Sequence, residues 1–430
     1  MLSASLGFAA AFVLIFLRVP IALALGLVGF VGFALLNDLT PALSMIALST
    51  SHSTMSYSLA VVPLFILMGN LVAGAGISAE LFRAAQVFVG HRRGGLGIAT
   101  IVSCGGFAAV CGSSVATAVT MGKVSIPSMR SYGYSDSLST AAVAAGGTLG
   151  ILIPPSIIMV VYGIATETHI GKLFAGGLVP GLIGIAGYSL AVRWTVFRNP
   201  EAAPLTPKST RAERVDAIKR VWTVAALFAL VLGGIYGGFF TATEAGGIGA
   251  VGALLFALGR RLGAARLREI FKDTVQTTAV LFALIIGATI FAEFVNFTGA
   301  HHAVLHLVSE SGLSPFMVML VIILIYIGLG CVLDSLAMML LTLPMFFPIV
   351  TGLGFDPVWF GILVVMLVEL GLITPPIGMN LFVIRSIVPD VSLGTIISGI
   401  LPFVVSDVVR IGIVALLPPI VLYLPNLFFE

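Results

Sequence analysis

The chain has 430 residues, 59% hydrophobic and only 9% charged, with a mean hydropathy of +1.16. A soluble domain is about 25% charged, so this composition excludes an ordinary water-facing surface and makes the chain an integral protein of the lipid bilayer. A net charge of +3 is too small to point to nucleic acid, and Cys104, Cys111 and Cys331 all lie in apolar stretches without disulfide or transition-metal spacing.

The first apolar run, 2–17, has no basic leader and is followed by Arg18, which predicts a retained transmembrane helix and not a cleaved signal. Runs at 20–36 and 57–74 complete a first set of scaffold helices within 1–74, at about 20 residues per crossing, and an arm follows at 78–90. The stretch 94–122 carries no charge, yet Arg92 and Arg93 precede it and Lys123 and Arg130 follow it. A full crossing would place one basic flank on the wrong side of the membrane. Its polar centre, Cys111-Gly112-Ser113-Ser114, leaves two arms of about 15 residues, each too short to span. The prediction is a re-entrant helical hairpin over 94–128, its tip buried in protein or facing a water-filled cavity.

The uncharged interval between Asp136 and Glu167 would make a helix of about 45 Å in a hydrocarbon core of about 30 Å. Pro154-Pro155 sits inside it, so a broken transmembrane helix is predicted over 136–165, followed by a helix at 174–192. The segment 193–220 holds seven Lys/Arg against three acids and reads as a cytoplasmic basic linker. Scaffold helices of a second set follow at 221–239, 243–259 and 274–296, within 221–296. Then come an arm at 299–310, a hairpin at 313–350, a second broken helix at 357–388 containing Pro375-Pro376, and a last helix at 397–425. With these assignments nineteen of the 21 Lys and Arg fall on one side, Lys172 and Arg410 being the exceptions, and both termini fall outside. The second hairpin has no Lys or Arg in its flanks, so its ends, near Ser311 and Asp356, are expected outside.

Shifting the chain by 221 residues superposes Pro127 on Pro348, Gly133 on Gly354, Gly150 on Gly371 and Pro154-Pro155 on Pro375-Pro376. The chain therefore reads as two repeats, 1–192 and 221–430, whose hairpins enter from opposite faces. Inverted repeats with discontinuous helices meeting near the midplane are the pattern of secondary transporters. The fold class expected is an all-α polytopic membrane protein, an inverted repeat with two re-entrant hairpins and two broken helices.

Each proline removes an N–H and orphans the carbonyl four residues earlier: those of Gly150 and Ile151 in one half, Gly371 and Leu372 in the other. A neighbouring side chain or water satisfies them, or a dehydrated cation such as Na⁺ does, since it takes oxygen ligands. Gly146-Gly147 on one side and Gly371 on the other allow close backbone approach. Each downstream half-helix is expected to begin at its second proline, its positive end toward the break. Ser113 and Asp334 start the outgoing hairpin arms; both suit N-caps, and Ser113, Ser114, Asp334 and Ser335 are equally candidates for cation or substrate contact, a charge at membrane depth being a site by default. Glu369 reads as a proton or cation site, a snorkelling residue or half of an ion pair. Arg385 reads as a carboxylate contact or a cytoplasmic-end anchor. Gly247-x-Gly249-x-x-Gly252 follows no strand, so small-residue packing explains it. His302, His306 and Glu310 share a helix face on a surface arm. Nothing resembles a protease constellation, so no enzyme is expected.

The strings PLFILMGN (63–70), GHRRGGLG (90–97), GSSVATA (112–118), GILIPPSII (150–158), TATEA (241–245) and GLITPPIGMNLFV (371–383) resemble the large membrane subunit of tripartite ATP-independent periplasmic (TRAP) transporters over essentially the whole chain. The resemblance implies an elevator-type, sodium-coupled importer of a small organic acid such as a C4-dicarboxylate or sialic acid, in a bacterial or archaeal inner membrane. It also implies two partners, a small four-helix membrane subunit and a periplasmic substrate-binding protein. Carried onto this chain, one sodium site would take Ser113, Ser114, Gly147, Gly150, Ile151 and Pro154. The other would take Asp334, Ser335, Gly371, Leu372, Thr374 and Met379. Candidate substrate contacts are Ser114, Ser156, Asp334, Asn380 and Arg385. The rival reading is a channel or passive facilitator built on the same repeat.

Overall fold

A computed structural model describes residues 2–310 and 312–429, all helix and short connections, with no strand among the described residues. Helices satisfy every backbone polar group within one segment, which lipid requires. The order is α1 (Leu2–Phe16), α2 (Ile21–Leu36), α3 (Leu39–Met55), α4 (Val61–Gly74, entered through a tight turn at Tyr57–Ala60) and α5 (Ile77–Val89). Next come the pair α6 (Gly95–Cys111) and α7 (Ser114–Ser131), then α8 (Asp136–Thr148), α9 (Ile157–Ala165) and α10 (Ile170–Arg198). The second half runs α11 (Arg211–Tyr236), α12 (Ala242–Gly259), α13 (Ala264–Phe297), α14 (Ala300–Glu310), α15 (Pro315–Gly330), α16 (Ser335–Gly352), α17 (Pro357–Ile373), α18 (Met379–Ile387), α19 (Leu393–Leu416) and α20 (Pro419–Phe429). Seven segments are long and apolar enough to cross a membrane: Tyr57–Gly74, α10, α11, α12, α13, α16 and α19.

The helices pack in two groups. In one, α13 lies along α2, α3 and α4, and α12 along α4 and α11. This group leaves large apolar side chains such as Leu35, Met55 and Phe239 exposed, as segments facing lipid do. In the other, α8 and α17 are central: every residue from Leu138 to Thr148 and from Val358 to Ile373 is buried. Around them stand α6, α7, α10, α15, α16, α18 and α19. The repeat recurs in the element boundaries, α7 and α16 opening at Ser114 and Ser335, and α8 and α17 at Asp136 and Pro357.

Three expectations need correction. Helix α3 was not expected, because its Ser and Thr lower the hydropathy; Ser44 and Thr54 instead bond back to the carbonyls of Thr40 and Thr50. The run 397–425 is two helices, interrupted at Leu417-Pro418, where proline supplies no N–H. Across the segment 193–220, α10 continues to Arg198 and α11 starts at Arg211 behind a Thr210–Glu213 capping box, leaving 199–210 between them. The arms of the first hairpin are 17 and 18 residues, longer than expected. Ser311 lies outside the described residues.

Candidate functional site

Helix α6 ends at Gly112, whose φ of +61° is open to glycine, and Ser113 turns the chain into α7. The Ser113 hydroxyl accepts the Ala116 N–H at 3.4 Å, while the Thr117 hydroxyl donates to the Ser113 carbonyl at 2.7 Å. The arms run back along each other: Thr100 lies 3.4 Å from the Met129 sulfur, and the Leu96 N–H reaches the Tyr134 hydroxyl. Against the tip lies the break between α8 and α9, a tight turn at Leu149–Ile151 and a cis Pro154-Pro155 bond. A Cβ on Gly150 would stand 2.7 Å from the Ser113 carbonyl oxygen and 2.8 Å from the Thr117 hydroxyl. One on Gly147 would meet Ala118, and one on Gly112 the Pro155 carbonyl, each at 2.8 Å. Glycine is what lets hairpin and break touch.

Of the first expected cation set, Ser113, Gly147 and Gly150 therefore come together at this contact, with Pro154 in the adjoining turn. The Ile151 carbonyl is taken up by the Ser156 hydroxyl, which also caps α9 by accepting the Met159 N–H. Neither downstream half-helix begins at its second proline: α9 opens at Ile157 and α18 at Met379, because the caps, Ser156 and Gly378, lie beyond the prolines.

The second half repeats the contact. The Thr342 hydroxyl donates to the Tyr326 hydroxyl at 2.7 Å across α15 and α16, and Asp334 caps α16 by accepting the Ala337 N–H at 2.7 Å. A Cβ on Gly371 would stand 2.7 Å from the Gly330 carbonyl oxygen. The break again holds a cis bond, Pro375-Pro376. The Thr374 hydroxyl donates to the Leu370 carbonyl at 2.7 Å, and the Thr374 N–H reaches Gly371. Ser335 opens α16, Leu372 is buried in the last turn of α17, and Met379 opens α18.

The expected substrate contacts divide. Ser114 and Asn380, from different halves, are bonded: the Asn380 amide donates to the Ser114 hydroxyl at 2.9 Å and to the Ala144 carbonyl at 3.0 Å, and Asn380 is wholly buried. Ser156 is buried at its cap. Arg385 is exposed in the last turn of α18, about 7.5 Å along the helix from Asn380 at 1.5 Å per residue. No hydrogen bond among the described residues joins Asp334 to the Ser114–Asn380 pair.

One cluster was legible only in part. Glu369 is paired, as one of its readings had it: Arg410 Nη2 lies 2.6 Å from Glu369 and 2.6 Å from Asp407. Tyr188 donates to Asp407, and the Thr148 hydroxyl lies 2.8 Å from Glu369 and 3.0 Å from Tyr188. The signal was Arg410 itself, a basic residue off the basic side with Asp407 one helical turn before it. Elsewhere, Gly249 packs on Met68 and Gly252 on Leu227, as small-residue packing requires. His306 pairs with Glu310 at 3.3 Å when its ring is protonated.

The comparisons with known proteins agree with this architecture. The YdaH transporter of Alcanivorax borkumensis, a crystal structure, matches with a TM-score of 0.57 over 89% of each chain at 14% identity, a likeness of fold alone. The C4-dicarboxylate TRAP transporter large permease protein of Pseudomonas aeruginosa is 38% identical over 384 residues, 89% of each chain. The sialic acid TRAP transporter large permease protein of Vibrio cholerae is 34% identical over 379 residues, 87% of each chain. The family described as tripartite ATP-independent periplasmic transporter, DctM component, matches residues 8–420. The chain is a multi-pass membrane transporter permease, not an enzyme, and belongs to the DctM family of TRAP transporter components.

Proposed function

We propose that this permease is a sodium-coupled secondary importer of a small organic acid, moved by an elevator mechanism. The observation that carries the reading is the doubled contact of a hairpin tip with a proline-broken helix, Ser113 on Gly150 and Gly330 on Gly371. The first contact brings together the Ser113 carbonyl and the Thr117 hydroxyl, and the second presents the Gly330 carbonyl, oxygen donors of the kind a hard cation takes. The Ile151 carbonyl and the Thr374 hydroxyl each keep a lone pair beyond the bond described above. Cation binding ties tip to break, and a tied tip completes a pocket around Ser114 and Asn380.

In this reading both hairpins are re-entrant and enter from opposite faces, the halves 1–192 and 221–430 being inverted repeats, with both termini periplasmic and the chain in an inner membrane. Two of its relatives carry a C4-dicarboxylate and sialic acid in their names, which supports a carboxylate substrate. The small four-helix membrane subunit and the periplasmic binding protein are its partners, a reading supported by the description of the family as a component of a tripartite periplasmic transporter.

Reconstitution with both partners tests it. An inward sodium gradient should drive uptake of a C4-dicarboxylate or sialic acid above equilibrium. Dissipation of the gradient without accumulation would instead identify a channel or passive facilitator.

A further inference from the structure

Helix α11 is longer than a crossing requires. Its 26 residues rise about 39 Å at about 1.5 Å each, against a hydrocarbon core of about 30 Å. Its uncharged stretch begins only at Val221. The turns from Arg211 to Arg220 therefore stand at headgroup level, with Trp222 at the boundary where tryptophan gathers.

The charges of these turns divide by face. Toward α5, the Arg214 guanidinium lies over the Phe88 ring, 5.8 Å from its centre, and Asp216 reaches Arg83 at 3.9 Å as well as Arg220 at 2.9 Å. Glu213 closes the capping box on Thr210. Both carboxylates of the segment are thus engaged. Arg211 and Lys219 are exposed and make no hydrogen bond or ion pair among the described residues. Beside them, at the three- and four-residue spacing of one helix face, run Val215, Ile218 and Trp222, which are 44%, 53% and 62% exposed. Arg211, Ala212, Val215, Asp216 and Lys219 line an open groove of about 470 Å³.

We infer that this face of α11 binds an anionic phospholipid, Arg211 and Lys219 holding the headgroup phosphate and Val215, Ile218 and Trp222 lying along the glycerol and the upper acyl chain. Charge complementarity selects the sign: residues 208–220 hold five Lys and Arg against two acids, and basic clusters beside a crossing attract anionic lipid. The apolar strip selects an amphiphile. A free phosphate would leave the strip bare, and a zwitterionic lipid would leave the two cations uncompensated. The site shares no residue with the hairpin tips or the breaks, so it does not rest on the transport reading. Arg268 and Lys272 are also exposed, on α13, but there Asp273 stands next to Lys272 with no ion pair among the described residues, so that face keeps a counter-charge of its own.

Thermal unfolding of the purified full-length chain in a neutral detergent tests this, with phosphatidylglycerol, phosphatidylcholine or inorganic phosphate added. Phosphatidylglycerol should raise the melting temperature above that with either of the others, and the rise should shrink in high salt, which screens exposed charges. Arg211→Gln with Lys219→Gln should lose the rise yet melt like wild type in phosphatidylcholine. Arg211→Lys with Lys219→Arg should keep it, and so should Arg268→Gln with Lys272→Gln, which removes the same charge from α13. No rise with phosphatidylglycerol, or a rise that survives the glutamine replacements at Arg211 and Lys219, overturns the inference. So does an equal rise with inorganic phosphate, which would make the face a plain anion site, or an equal loss in the α13 variant, which would make the effect one of net charge.

Discussion

The hydroxyl of Thr148 lies 2.8 Å from a carboxyl oxygen of Glu369, and the two residues stand 221 positions apart, the spacing that superposes one half of the chain on the other. Equivalent positions on the two broken helices therefore touch, just ahead of both breaks. Thr148→Val keeps the shape but removes the hydroxyl from Glu369, Tyr188 and the Ala145 carbonyl. Leaving buried polar groups unmatched costs about 1–3 kcal/mol, so the variant should melt at a lower temperature in detergent, and Thr148→Ser should recover most of the loss.

The glycines at the two tip contacts give a steric test. Gly150→Ala and Gly371→Ala each drive a methyl into backbone, 2.7 Å from the Ser113 and Gly330 carbonyl oxygens. Overpacking of this kind costs about 1–3 kcal/mol, enough to displace a tip. Sodium-dependent uptake should fall at least tenfold at the upper end of that range, with the protein still inserted. The control is Gly328→Ala on α15, where nothing lies within 4 Å; uptake there should match wild type.

At Asp334, capping and cation binding can be separated. Asn is as good an N-cap as Asp, while loss of the cap costs about 1 kcal/mol. Asp334→Asn should keep the Ala337 bond and the stability of α16 but lose the charge. The expected result is normal expression with weakened sodium activation of uptake. Unchanged activation would leave Asp334 as a cap only.

Much of this was legible in sequence because proline, glycine and charge act locally. The proline pairs mark both breaks, and the polar centre Cys111-Gly112-Ser113-Ser114 marks the turn between α6 and α7. Gly150 and Gly371 in register pointed to the repeat, and the structure places each against a tip. What was illegible depended on partners distant in the chain. Asn380 meets Ser114 across 266 positions, and no local pattern announces that. The role of Ser156 toward Ile151 appears only once the turn is built. Helix α3 was hidden because hydropathy counts a hydroxyl as exposed, although it can bond its own backbone.

Entry faces of the hairpins are open to labelling. Helices α7 and α16 are both 18 residues long, and α16 is also apolar enough to cross, so length does not decide, and the charge flanks carry the expectation. Single cysteines at Arg93 and Lys123 should react with an impermeant thiol reagent only from the cytoplasmic face. Those at Ser314 and Asp356 should react only from the periplasmic face. Labelling of the two members of a pair from opposite faces would make that hairpin a full crossing.

The Ser114–Asn380 bond joins the first hairpin to the second broken helix, so it should report on the pocket and not only on folding. Ser114→Ala leaves the buried Asn380 amide with the Ala144 carbonyl alone, and Asn380→Leu leaves the Ser114 hydroxyl without the amide. Either loss should cost about 1–3 kcal/mol. Because the two residues bond each other, the losses should overlap: the double variant should be less impaired than the sum, by about 0.5–3 kcal/mol. Measured as substrate binding in saturating sodium, that coupling should be present; measured as thermal stability without substrate, it should be smaller. Equal coupling in both measurements would make the pair a structural clasp between the halves, and the substrate contact would have to be sought elsewhere.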